Sequence, residues 1–255
     1  MTRYVLVTGA SNGIGLAIAA RFTAGGDTVY LTGRDPGRLK QAASQLAGQA
    51  GAAAGPHPLP CDATDPAQVG ALASQLGPRL DVLVNNAGGN TDFASPPDDD
   101  SGADDDGDLD QLLAGWRANL EANLLSAVLT THAVAGQLAP GGSVISIGSI
   151  GAERGAGSYG AAKAALSAWN AGLSAELGPR GITANVISAG LIDGTGFFRG
   201  RLTPQRHDAL VAATHDKRPG QPGDVAQAAY FLASPGARHI TGQVIHLNGG
   251  AFTTR

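Results

Sequence analysis

One cysteine, Cys61, stands in a chain of 255 residues, so no intramolecular disulfide framework can form; a lone thiol accords with a reducing compartment. Charged residues are scarce at 15% and aromatic ones scarcer at 5%. No Lys/Arg-rich run with interleaved aromatics occurs, which removes the usual footprint of a nucleic-acid binder. Long apolar runs are also missing. The opening Met1–Val7 segment is too short for a secretory signal or a membrane span, and the protein is expected to be soluble and cytoplasmic. Glycine is plentiful at 38 residues but has no G-X-Y period, so a collagen-like chain is excluded. What is present is 43% hydrophobic residues, enough to bury a sizeable core in one large α/β domain.

The formal charge of −4 is unevenly placed. Asp92, Asp98, Asp99, Asp100, Asp104, Asp105, Asp106, Asp108 and Asp110 fall within 19 positions that hold no Lys or Arg, leaving twelve acids against 17 bases elsewhere. A mildly basic body therefore carries one acidic segment. Calcium chemistry does not follow from it. An EF-hand alignment on Gly107 puts Gly102 at the first ligand position and Leu113 at the last, and neither can ligate. A solvated acidic loop is expected, and no metal site.

Short β-branched runs at 4–7, 28–32, 82–84, 143–147, 183–187 and 244–247, with a weaker one at 57–60, alternate with helical periods near 14–24, 37–48, 67–76, 109–138, 159–177 and 224–233. That alternation predicts βαβ units: an α/β, Rossmann-like, doubly wound sheet of about seven parallel strands with helices on both faces. Residues 1–255 are expected to form a single dinucleotide-binding domain, interrupted by segments 89–110 and 190–218.

The first strand runs into Thr8-Gly9-Ala10-Ser11-Asn12-Gly13-Ile14-Gly15 and then directly into a helical pattern. Glycines there permit a tight turn, a close backbone approach to pyrophosphate and close helix–strand packing, while the helix N-terminus offers N–H donors to the anion. The second strand ends in Gly33-Arg34, with no carboxylate at its tip to hold a ribose 2′-hydroxyl. An arginine there suits a 2′-phosphate, so NADP(H) is favoured over NAD(H). Tyr159 and Lys163, at i and i+4, share one helix face. A nearby ammonium stabilises a phenolate, which lets the phenol exchange a proton during catalysis.

Taken in order, Thr8–Gly15, Asn85-Asn86-Ala87-Gly88, Ser149, Tyr159/Lys163 and the closing Ile240–Gly250 segment resemble the short-chain dehydrogenase/reductase family, its β-ketoacyl reductase-like members most. The resemblance implies hydride transfer between NAD(P)(H) and a carbonyl or alcohol. It implies Tyr159 as general acid and Lys163 as ribose anchor. Ser149 becomes the donor to the substrate oxygen, and Asn123 the holder of a relay water, with Asn119 as fallback. Gly9, Ser11, Asn12, Gly13, Ile14, Gly15, Arg34, Asp62, Ala63, Asn86, Ala87, Gly88, Gly190 and Ile192, together with Tyr159 and Lys163, become the cofactor site. It further implies a homo-oligomer, tetramer or dimer. Two departures bear on the chemistry. Ser149 lies ten residues before Tyr159, a shorter separation than the family's, and Ala189 stands where the family has proline.

Segment 190–218 falls where the family places a substrate lid. Its Phe197-Phe198 pair suits an apolar substrate, and Arg199, Arg201, Arg206, Lys217 and Arg218 suit either solvent or an acidic carrier protein. The leading expectation is NADPH-dependent reduction of a ketone in a small or medium molecule, free or carrier-bound. Alcohol oxidation, a cofactor-sensing role and a non-redox step are the alternatives. The excess of Arg over Lys and the Ala/Gly richness point to a high-GC bacterium and to a biosynthetic setting.

Overall fold

Strand side chains alternate in direction, and this chain uses both directions for core. Val5, Val7, Val29, Leu31, Val82, Val84, Ile145 and Ile187 pack on one face, and Leu6, Leu83, Val144 and Ala184 on the other. A strand buried on both sides has no solvent-facing side, which is why apolar residues stand next to one another, as in Val5-Leu6-Val7, Val82-Leu83-Val84 and Val144-Ile145.

The computed structural model describes residues 2–50, 55–94 and 108–254. The order is β1 (Tyr4–Val7), α1 (Gly13–Ala24), β2 (Thr28–Gly33), α2 (Pro36–Ala50), β3 (His57–Pro60), α3 (Pro66–Gln75), β4 (Leu80–Asn85) and a 3-10 turn (Thr91–Ala94). It continues with α4 (Leu109–Leu120), a π turn (Glu121–Leu125), α5 (Ser126–Val134), β5 (Leu138–Ser149), α6 (Gly151–Arg154), α7 (Gly157–Leu177), β6 (Thr183–Ala189), α8 (Pro204–Ala212), α9 (Pro222–Leu232) and β7 (Val244–Leu247). Among the described residues the seven strands all pair in parallel, in the order β3-β2-β1-β4-β5-β6-β7. The doubly wound architecture expected from the sequence is therefore present, weak third strand included. Helices α1, α2 and α9 cover the first face; α3, α5 and α7 cover the second.

Chain direction across the sheet reverses between β1 and β4, and ligands in such sheets bind at the carboxyl ends of the strands flanking that point. The Thr8–Gly15 turn follows β1 there, and Asn86–Gly88 follows β4.

Four helices start on one local device. Asp35, Asp65, Thr203 and Gln221 stand directly before α2, α3, α8 and α9, each followed by a proline whose missing N–H costs nothing at that position. One expectation is corrected. The helical period over 109–138 is broken by the π turn, where the Ser126 N–H reaches back to the Glu121 carbonyl, and it ends at Val134 because β5 already begins at Leu138. Segment 190–218 contains α8. Of the acidic segment, Asp92 lies in the 3-10 turn and Asp108 caps α4 through the Asp110 N–H at 3.0 Å, while 95–107 lie outside the described residues.

Candidate active site

The turn after β1 is tied to the segment that follows β4 by two side chains, Thr8 and Asn86. Thr8 Oγ1 accepts the N–H groups of Asn86 and Ala87, both at 2.9 Å, and donates to the Val84 carbonyl. Asn86 Nδ2 donates to the carbonyls of Thr8 and Gly9, both at 3.0 Å. Asn86 therefore braces the turn with its amide nitrogen. Gly9 sits at φ +63°, and a side chain on Gly15 would lie 2.3 Å from the Gly9 carbonyl, so both positions require glycine. Asn12 caps α1 without a side-chain hydrogen bond, and the first helical bond is that of the Leu16 N–H. The N–H groups of Gly13, Ile14 and Gly15 thus have no acceptor among the described residues. Free donors at a helix N-terminus, approached through glycines, fit a dinucleotide pyrophosphate.

Around this turn the structure gathers the other expected cofactor residues. Ser11 is next to Gly33 at the end of β2. Arg34 follows, exposed and without a hydrogen bond or ion pair among the described residues. Asp35 is committed elsewhere: its carboxylate accepts the Arg38 N–H at 3.0 Å and pairs with the Arg38 guanidinium at 3.5 Å. Asp62 and the buried Ala63 follow β3, and Asp62 Oδ1 takes both the N–H and the hydroxyl of Thr64. From the other half of the sheet, Gly190 donates its N–H to Leu247 and lies so close to Asn248 that a side chain would clash at 2.7 Å. The Ile192 carbonyl accepts from the Thr195 hydroxyl at 3.1 Å, and Thr195 packs against Gly13.

Tyr159 and Lys163 are buried on one face of α7. Lys163 Nζ donates to the Ile147 carbonyl at 2.8 Å and lies 5.9 Å from the Tyr159 ring centre. Burial lowers the ammonium pKa to about 8. Burial pushes the Tyr159 phenol up to about 12, against a hydrogen bond from the Ser149 side that pulls it down. The short Ser149–Tyr159 spacing does not part the two residues, because β5 runs to Ser149 and the single turn α6 carries the chain straight back to α7.

Asn123 lies in the π turn, buried. Its Oδ1 accepts the Gly89 N–H at 2.9 Å, and its Nδ2 donates to the carbonyls of Gly89 and Asn119, both at 3.0 Å. The loop carrying Gly88, where a side chain would meet Asn123 Oδ1 at 2.6 Å, is thereby stitched to the helix. Asn119, fully buried one turn earlier, donates to Asp92 and to Ser158, each at 2.8 Å. Segment 190–218 reaches the same place: the Phe197 ring stands 5.6 Å from Tyr159 and 5.7 Å from Phe93, edge-on to the latter. Of its cations, Arg218 is paired with Asp216 and Asp224, and Lys217 donates to the Ala212 carbonyl. Arg199 and Arg206 remain exposed. Thr8, Phe93, Asp92 and Ser158 were not among the expected site residues; Thr8 stood in the glycine-rich motif and Asp92 and Phe93 in the acidic segment, and nothing in the sequence marked Ser158.

A family model described as enoyl-(acyl carrier protein) reductase matches residues 9–252. The 3-oxoacyl-[acyl-carrier-protein] reductase of Escherichia coli K12 is 33% identical over 260 residues, covering 98% of this chain and 97% of its own. A short-chain dehydrogenase from Burkholderia cenocepacia, solved in complex with NADP, is 32% identical with a TM-score of 0.81, over 98% of this chain and 97% of that one. A 7α-hydroxysteroid dehydrogenase solved with NADH and 7-oxo glycochenodeoxycholic acid is 30% identical with a TM-score of 0.81, over 97% and 93%. Among the described residues no helix is long and apolar enough to cross a membrane, and no cluster of three metal-ligating side chains occurs. Alike from end to end to proteins that carry nicotinamide dinucleotides in this fold, the chain is an enzyme of the short-chain dehydrogenase/reductase family, an oxidoreductase.

Proposed function

We propose that the enzyme is an NADPH-dependent carbonyl reductase that converts a ketone of a small or medium, partly apolar molecule to the alcohol. The observation that carries this reading is Tyr159 and Lys163 buried together beside Ser149, beneath an aromatic lid. Gly9, Ser11, Asn12, Gly13, Ile14 and Gly15 hold the pyrophosphate, with Gly190 and Ile192 closing the far side. Asp62, Ala63, Ala87 and Gly88 line the adenosine half with Asn86 behind them, and the whole chain acts as one dinucleotide-binding unit. Arg34 takes the 2′-phosphate, supported by its freedom and by the commitment of Asp35 to Arg38.

A bound nicotinamide supplies hydride to the carbonyl carbon. Ser149 holds the carbonyl oxygen by a hydrogen bond, and Tyr159 delivers its phenolic proton to that oxygen as negative charge develops. Lys163, still largely protonated at pH 7 with a pKa of about 8, stabilises the resulting phenolate. Asn123 fixes the loop at Gly89 and, through its opened helical turn, the path by which the tyrosine is reprotonated. A phenol pushed up to about 12 keeps its proton throughout the physiological range, the form that a general acid needs. The exposed Arg199 and Arg206 leave room for an acidic carrier as the substrate's bearer. We further propose a cytoplasmic homo-oligomer.

The test is a panel of ketones and keto-thioesters with NADPH and with NADH, followed by nicotinamide absorbance. Tyr159→Phe should lose activity by about 10²–10⁴-fold. Arg34→Ala should weaken NADPH far more than NADH. Full activity in Tyr159→Phe removes the assigned acid, and equal loss for both cofactors removes the assigned phosphate contact.

A further inference from the structure

Asp92 and Ser158 are 66 positions apart, yet both converge on the fully buried amide of Asn119. The two protons of Asn119 Nδ2 are divided between Asp92 Oδ1 and Ser158 Oγ, each at 2.8 Å, and Ser158 Oγ lies 3.4 Å from the same carboxylate oxygen. Asn119 Oδ1 accepts the Thr91 N–H at 3.1 Å and stands 3.4 Å from Asn123 Nδ2. Every polar atom of the Asn119 side chain is thus used, and three segments are tied at one point: the 3-10 turn after β4, helix α4 and the first turn of α7. The residues on either side of this knot bear on substrate. Ser158 immediately precedes Tyr159. Asp92 immediately precedes Phe93, whose ring meets Phe197 at 5.7 Å and Phe198 at 5.8 Å, with the Arg201 guanidinium 6.0 Å over it. Phe197 in turn stands against Tyr159.

Resting on the carbonyl-reductase reading, we propose that Asp92, acting through Asn119 and Ser158, is a positioning residue that fixes Phe93 as the stationary jaw of an aromatic clasp over Tyr159, and that Phe93 sets the size of ketone admitted. Phe197 and Phe198 form the moving jaw. They sit on the lid, between glycines at 194, 196 and 200 that all adopt positive φ. With Phe197 against the phenol, a substrate carbonyl reaches Tyr159 only by displacing that ring, and the space then opened is bounded by whatever holds Phe93. A rigid Phe93 rejects bulk next to the carbonyl; a loosened or truncated one admits it.

The experiment has two arms. Amide hydrogen exchange over residues 89–94 should be slow in the wild type and in Asp92→Asn, whose side-chain oxygen still accepts from Asn119, and fast in Asp92→Ala. Kinetics on a small methyl ketone and a bulky aryl ketone should show Phe93→Ala shifting kcat/KM toward the bulky substrate by roughly tenfold or more. Asp92→Ala should shift in the same direction, Asp92→Asn should match wild type, and NADPH affinity by fluorescence should be unchanged in all three. Slow exchange in Asp92→Ala overturns the tether, and unchanged selectivity in Phe93→Ala overturns the jaw. Should Asp92→Ala fail to fold, Phe93→Ala and Asp92→Asn still decide. Failure of the carbonyl-reductase reading shows separately, as a wild type that oxidises neither NADPH nor NADH with any ketone of the panel, and leaves the exchange result standing.

Discussion

Lys163 is the residue whose chemistry is most altered by its surroundings. Burial lowers its pKa from 10.5 to about 8, so the folded chain releases a proton that the unfolded chain still holds. A depressed folded pKa gives stability that is present above the unfolded value and is lost as pH falls through the folded one. The cofactor-free protein should therefore gain stability as pH rises from 8 toward 10. Tyr159, raised to about 12, works the other way only above pH 10, and Cys61, raised to about 11, opposes the gain from pH 9 upward. The difference between wild type and Lys163→Met isolates the lysine, and it should change by about 1 kcal/mol per pH unit between 8 and 10, measured by urea unfolding. A flat difference would mean that the ammonium is not desolvated. The Tyr–Lys pair was legible because i, i+4 spacing is a property of the helix itself. Asp92 and Ser158 were not, because they meet each other and Asn119 only in the folded chain, and sequence spacing does not encode contacts across 66 positions.

At the scale of elements, the lid is where the sequence said least. The segment 204–212 has no buried residue, so it lacks the apolar stripe by which helices are read, and only Thr203-Pro204 marks its start. The strands were plain, since a two-sided core sets apolar residues next to one another, as in Val5-Leu6-Val7 and Val82-Leu83-Val84. The π turn was not, because an i→i+5 widening has no residue signature and falls within an ordinary helical period. Helix α8 is tied back to the strand end by His207. Its Nε2 lies 3.3 Å from Asp193, and its Nδ1 lies 3.3 Å from Asp208. Hydrogen bonds to Asp193 first and Asp208 second raise the imidazole pKa above 6.5. A raised folded pKa means that this tether is complete below pH 6.5 and is lost as pH rises through the folded value. In an NMR titration His207 should titrate above 6.5, and Asp193→Asn should bring it back toward 6.5. An unchanged titration in Asp193→Asn would show that the lid helix is held by something else.

At the scale of the whole molecule, one surface is out of keeping with the rest. Leu109, Leu112, Leu113 and Trp116 follow the i, i+3, i+4, i+7 spacing of a core-facing stripe, yet on α4 they are 76%, 57%, 45% and 41% exposed. Contiguous exposed apolar side chains of this size are a surface at which proteins associate. A second copy of the chain is the economical occupant, because a two-fold axis sets the same stripe against itself and closes the assembly. The face also bears on the site: the same helix continues to Asn119 and Asn123, which hold the loop at Gly89–Asp92. Association would stiffen α4 and, with it, the stationary side of the substrate pocket. The double variant Leu112→Glu/Trp116→Glu should therefore sediment as a protomer at concentrations where the wild type sediments as a dimer or tetramer. It should keep its far-UV circular dichroism and its NADPH affinity, since the glycine turn after β1 lies on other elements, while kcat falls. A wild type that sediments as a protomer at micromolar concentration would remove the proposed assembly. A double variant of unchanged mass would move the interface off α4, and the exposed stripe would then need another occupant.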